Sequence, residues 1–222
     1  MIPADPDLAR HNPRPTLRRH RERGRSERSE LDGVLDAVLA GTLSTVLDGR
    51  PYVVPMLFAR DGDRILLHGS TGAGALRHVA DGAPAALAVL AVDGIVVAHS
   101  TFDSSANYRS AVVHGTLENL RGEDKRRALD TLSDRILPGR TGEVPAMTDK
   151  QLAATLAMAL PILEGEWVVK VRTGLPGEPD GDVTGIWTGV VPLRLTAGDP
   201  SPAPWSAGPL PASVSAFAAA HP

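Results

Sequence analysis

Two short segments carry residue types suited to holding an anionic or planar ligand. The first is His68-Gly69-Ser70-Thr71-Gly72-Ala73-Gly74, which ends a predicted strand and opens a predicted helix. Glycines let a backbone approach a ligand closely, N–H groups at such a junction point outward, and a helix start carries positive potential. Ser70 and Thr71 add hydroxyls, and Arg77 follows one to two turns into the helix. The same turn would serve equally as a plain glycine-rich connection with a capping serine. It lacks the Gly-Lys-Ser/Thr ending of a P-loop, and the strands before it do not suit a dinucleotide-binding fingerprint. The second segment is Ser104-Ser105-Ala106-Asn107-Tyr108-Arg109-Ser110, just before a predicted strand. Its arginine, phenol and hydroxyls suit a phosphate or a planar ring. The alternative is a polar loop with Arg109 in a surface ion pair.

Other chemistries find little support. The chain has no cysteine, which removes disulfides, thiolate catalysis and cysteine-held zinc or iron–sulfur centres. There is no Gly-x-Ser-x-Gly nucleophile elbow. The seven histidines show no His-Glu-x-x-His motif and no pair spaced for one helix face, so no metal site is assigned. The acidic residues fall mostly in turns and on helix faces, and no catalytic carboxylate pair stands out.

The elements that must position these segments follow from hydrophobic periodicity. Ser29–Ala40 reads as a helix, with Ser29 as N-cap and Gly41 as stop. Thr42–Leu47, Tyr52–Ala59 and Arg64–His68 read as strands, with Asp48-Gly49 and Asp61-Gly62 as tight turns between them. Thr71–Ala80 reads as a helix. Ala83–Val92 and Ile95–Phe102 read as two strands around an Asp93-Gly94 turn, and Arg109–Leu120 as another. Two helices, Gly122–Leu137 and Asp149–Leu160, precede a last strand at Glu166–Arg172. The expected fold class is mainly β with flanking helices.

Residues 1–30 form a polar arm, strongly basic from Arg14 to Arg28, expected to be mobile or to bind an anion. Residues 31–195 form the domain, and 196–222 a flexible tail. A chain of 222 residues with 42% hydrophobic content can bury its own core. The net charge of −3 gives no reason to expect nucleic acid. No apolar run reaches the ~20 residues of a membrane helix, and no signal-peptide core is present. A cytoplasmic protein is expected.

Four segments taken together resemble a known family. They are Gly49-Arg50-Pro51-Tyr52-Val53-Val54-Pro55-Met56, Leu66-Leu67-His68-Gly69-Ser70, Asn107-Tyr108-Arg109-Ser110-Ala111-Val112-Val113-His114-Gly115 and Trp187-Thr188-Gly189-Val190-Val191-Pro192-Leu193. In this order and spacing they resemble the pyridoxamine 5′-phosphate oxidase-like split barrels, in the branch with nitroimidazole reductases and flavin-nucleotide-binding proteins. The resemblance implies a six-stranded split β-barrel and a homodimer with FMN at the subunit interface. It implies that Pro55 and Met56 lie along the flavin ring and that His68, Gly69, Ser70 and Thr71 hold the ring edge and phosphate. Arg77 and Asn107, Tyr108, Arg109 and Ser110 would close the phosphate and interface side, and Trp187 would pack near the flavin. Many relatives carry a basic residue where this chain has Gly74-Ala75, which leaves that task to Arg77. The residues that hold the vitamin in true pyridoxamine-phosphate oxidases are not recognisable, so vitamin synthesis is not implied. The function expected is an FMN-dependent oxidoreductase acting on a small molecule. The alternatives are a flavin store without turnover, or a barrel holding a deazaflavin or a haem ligated by His68, His99 or His114.

Overall fold

In the computed structural model, which describes residues 17, 19–181 and 184–221, the predicted meander is present. Helix α1 (Arg28–Asp36) follows a short edge strand, β1 (Gly24–Arg25), and leads into β2 (Ala40–Leu47), β3 (Arg50–Asp61) and β4 (Arg64–Ser70). Asp48 and Gly49, at φ 51° and 74°, make the two-residue turn whose twist matches the flanking strands. Next come α2 (Gly74–Ala80), β5 (Pro84–Val97), β6 (Ser105–Thr116), β7 (Glu118–Asn119) and α3 (Gly122–Ile136). The chain ends with α4 (Asp149–Ala154), β8 (Thr155–Pro161), β9 (Trp167–Arg172), β10 (Gly189–Pro192) and α5 (Ala212–Ala220).

The strands lie in the order β1-β9-β6-β5-β2-β3-β4-β8-β7, with β10 added on β5. Every pairing is antiparallel. The sheet curls without closing, which is the split-barrel architecture the motifs implied. Seven of its strands are long, β2 to β6, β8 and β9, one more than the six expected. Two cores fill it. The inner core joins α1 (Leu31, Val34, Leu35) to the strands through Leu43, Leu87, Val113 and Met158. The outer core packs α3 (Ala128, Leu129, Leu132) on Leu66, Ala157 and Ala159. Strands β4 and β8 are thus covered on both faces.

Four sequence expectations change. Helix α1 stops at Asp36, and its N-cap is Glu27, so Ser29 lies inside the helix rather than capping it. Asp93-Gly94 is a bulge within the single long strand β5, not a turn. The predicted helix over Asp149–Leu160 divides at Ala154, and its second half is β8, buried between β4 and β7. The expected flexible tail contains α5, whose Ser213 is buried against Glu143. Of the expected basic arm, residues 1–16 and 18 lie outside the described residues. The rest adds β1 to the edge of β9.

Candidate functional site

Strand β3 changes partner halfway along. Arg50–Leu57 pairs with β2, and Phe58–Asp61 pairs with β4. Continuing the β3–β4 register would set Ser70 opposite Pro55, but that pairing is not made. Strand β8 runs along the other edge of β4 as far as Ser70, beside Thr155, so the β3-facing edge of His68–Ser70 carries no ladder. The two strands therefore part into a cleft, with Pro55 and Met56 on one lip and His68, Gly69 and Ser70 on the other. A proline is tolerated here because one side of the strand carries no ladder and needs no donor. Met56 leans on the inner core, while Pro55, His68, Ser70 and Thr71 are exposed. Buried Leu66 and Leu67 anchor the second lip.

The glycine-rich turn is less open than its sequence suggests. Thr71 donates its N–H to the Ala154 carbonyl at 3.2 Å, and Ala73 donates to Ser70 O at 3.0 Å. Gly72 N–H donates to the Ser70 hydroxyl at 3.1 Å. These three amides therefore do not form the free anion cradle expected of them. Gly69 is needed for packing: a Cβ there would lie 2.2 Å from Leu76 Cδ1, where α2 crosses β4. His78 ties α2 to β2 through its Nε2 and the Val46 carbonyl, 3.0 Å apart. The groups left facing outward are the His68 ring, the Ser70 hydroxyl and the exposed Arg77 guanidinium, which has no partner among the described residues.

The second predicted cluster is held within the fold. The Asn107 amide is buried, donating to Gly174 O at 3.0 Å and accepting from Arg172. Arg109 grips Asp93 with both arms of its guanidinium, at 2.9 and 2.7 Å. That hydrogen bonding raises the Arg109 pKa above its usual range. The Ser110 hydroxyl donates to Lys170 O at 3.2 Å. Tyr108 is half-buried, opposite Val92 and Arg172. Strands β5, β2 and β3 stand between this cluster and β4, so one chain does not bring the two clusters together. Trp187 precedes β10, which pairs with β5 and not with β4. It is 64% exposed and folds over Gly189, where β10 joins β5.

One concave site had no sequence signal. Along one edge, β5 pairs with β2 over Ala85–Ala88 and with β10 over Gly94–Val97. Between them is a cavity of about 640 Å³. Its wall includes Arg109, Arg135, Arg194 and His221 among apolar side chains. These residues come from separate stretches of the chain, so no spacing rule could group them. A second cavity, about 800 Å³, lies between the N-terminal segment and β9, beside Arg21, Arg25 and Trp167.

Split-barrel topology and the parted β3–β4 lips define a class, and comparison with known proteins assigns it. Residues 27–166 match the pyridoxamine 5′-phosphate oxidase family, and the chain belongs to that family. Among solved structures, it is similar to the FAD and heme binding protein from Mycobacterium smegmatis. The two share 47% identity, covering 88% of this chain and 97% of that one, with a TM-score of 0.85. The flavocytochrome Anf3 from Azotobacter vinelandii is 28% identical, covering 90% and 94%, with a TM-score of 0.84. A putative 5-nitroimidazole antibiotic resistance protein from Bacteroides thetaiotaomicron, 21% identical over 67% of this chain and 86% of its own at a TM-score of 0.55, shares the fold. No curated protein matches the chain.

Proposed function

We infer that this protein binds a flavin in the β3–β4 cleft and a haem elsewhere, as a cytoplasmic, homodimeric oxidoreductase acting on a small molecule. The observation that carries the reading is the partner switch of β3. It opens a gap between Pro55 on β3 and the His68 ring and Ser70 hydroxyl on the same face of β4, with the exposed Arg77 of α2 without a partner among the described residues. Such a gap fits a flavin ring with its phosphate. Motif resemblance pointed to FMN. The 47%-identical relative is described as binding FAD and heme, so FAD is the form proposed. Bound flavin and haem would supply hydride and one-electron chemistry, while the protein supplies position and electrostatics. That division of labour agrees with the absence of a catalytic acid–base pair at the cleft.

The homodimer is supported by the outer face of β2 and β3. By register, Val46, Val53 and Leu57 share that face with Pro51 and Pro55, and all five are exposed. Monomers seldom leave such a contiguous apolar patch to water. A second chain seated there would adjoin the cleft and bring its own exposed Trp187 toward the flavin.

The test is direct. The purified protein should show flavin absorption bands, and chromatography after denaturation should identify the flavin as FAD. A colourless preparation that takes up no added FAD or FMN would overturn the reading.

A further inference from the structure

Haem makes three demands on a protein: a ring nitrogen with a free lone pair, an apolar slot, and cations for two carboxylates. The described histidines differ sharply on the first. His78 uses Nε2 on the Val46 carbonyl, and exposed His20 sits on Glu22. His99 lies in the hairpin loop after β5, with Nε2 3.4 Å from Asp103. Its remaining nitrogen, Nδ1, is buried with no partner, and that nitrogen is crowded by the residue's own Cβ. His68 borders the flavin cleft, and His114 lies opposite Ala86 in the β5–β6 ladder. Neither lines the two cavities described above.

His221 differs from all of these. It caps α5, its ring stacks on Phe217 at 4.4 Å between centroids, and its carbonyl accepts the Ala197 N–H at 2.7 Å. Nδ1–H donates to the Phe217 carbonyl at 2.9 Å. In the neutral ring this leaves the Nε2 lone pair with no partner among the described residues. Metal-binding histidines are oriented this way, one nitrogen held by a carbonyl and the other free for the metal. His221 also lines the cavity in the gap of β5.

We propose that this gap is a haem site with His221 as axial ligand, a proposal that rests on the flavin-and-haem reading above. Val38, Leu39, Leu90, Val92, Leu193 and Leu195 give the gap apolar side chains, of which Leu90, Val92, Leu193 and Leu195 are exposed and open to an incoming apolar ring. The gap's volume of about 640 Å³ falls within the ~300–1,000 Å³ of small-molecule and cofactor sites. Two carboxylates in its wall are already held, Asp36 by Arg60 and Asp93 by Arg109. Arg135 donates to the Asp36 carbonyl, and Arg194 has no partner among the described residues. The uncompensated charge is therefore cationic, which suits the two haem propionates.

The full-length protein is titrated with hemin and followed by absorbance and electron paramagnetic resonance. Wild type should develop a histidine-ligated Soret band and spin signature. His221→Ala should lose that signature, and added imidazole should restore it. His68→Ala and His114→Ala should keep it. Arg194→Ala should weaken hemin binding roughly tenfold, as loss of one charge-assisted contact would, without changing the ligation signature. If His221→Ala keeps the wild-type spectrum, the site is wrong while the flavin-and-haem reading stands. If flavin-loaded wild type takes up no hemin, the haem half of the function falls, and the site falls with it.

Discussion

At the residue scale, identical-looking polar groups divide by what already holds them. Arg77 and Arg109 both suit a phosphate by type. Arg109 is clasped by Asp93, while Arg77 stands exposed on α2 without a partner among the described residues. Arg77→Ala should therefore lower flavin affinity in a fluorescence titration, and Arg109→Ala measured on the same chain should leave it near wild type. Equal losses would place both arginines at the phosphate. Gly69 makes a second case. Leu76 Cδ1 lies 2.2 Å from where a Cβ of Gly69 would stand, so Gly69→Ala must displace Leu76. The clashing atom is the tip of a flexible side chain, which puts the cost near the lower end of overpacking, about 1 kcal/mol. Urea denaturation would measure it. In a Leu76→Ala background the same substitution should cost little, because the clash is gone.

At the scale of elements, the first turn of α5 is latched to Glu143. Glu143 accepts hydrogen bonds from the Ser213 hydroxyl and N–H, with Arg140 beside it. The Ser213 bonds favour the carboxylate and pull its pKa below the ordinary 4.5. A depressed carboxylate stabilises the docked state above its ordinary value and loses that contribution as pH falls through the folded value. Amides of α5 should thus lose hydrogen-exchange protection as pH drops below 4.5, ahead of those in α3. Glu143→Ala should show weak α5 protection throughout, with no such step.

The same scale shows what could be read from sequence. The turn at Asp48-Gly49 was legible because local backbone preference alone decides it, and the one expected at Asp61-Gly62 falls one residue later, at Gly62-Asp63, with Asp61 paired to Arg64 as the end of β3. Asp93-Gly94 carries the same signal but is overruled. The Asp93 carboxylate is held by Arg109 and its carbonyl by the Leu193 N–H, and these distant partners keep β5 running. Leu156–Leu160 was hidden for another reason. An apolar run covered on both faces has no period to separate strand from helix, and its alanines favour helix. The first lip and second lip of the cleft were both named from motifs. That they are lips of one cleft depends on where β3 changes partner, which no local pattern encodes. Of the β5 cavity, assembled from distant stretches, only Arg109 was singled out by its local sequence.

For the whole molecule, the exposed face of β2 and β3 sets the assembly. Val53 is 57% exposed at the middle of that face, clear of the β5 cavity. Val53→Asp should convert a dimer to a monomer by light scattering while leaving the circular dichroism spectrum intact. If the flavin is completed by a second chain, the monomer should also bind it more weakly. A wild-type monomer in solution would remove the dimer from the proposed function.

The pairing of β4 with β8 has a consequence for how the chain is made. β4 is complete at Ser70, yet the strand that covers its second edge begins only at Thr155. At ribosomal rates of ~5–20 residues per second, roughly ten seconds separate the two. Throughout that interval Leu66 and Leu67, fully buried in the finished protein, sit on a strand with an open edge, the kind that recruits other chains. The interval between synthesis of β4 and of β8 is therefore the period of greatest aggregation hazard for the nascent protein, and slower growth at low temperature with abundant chaperone should raise its soluble yield.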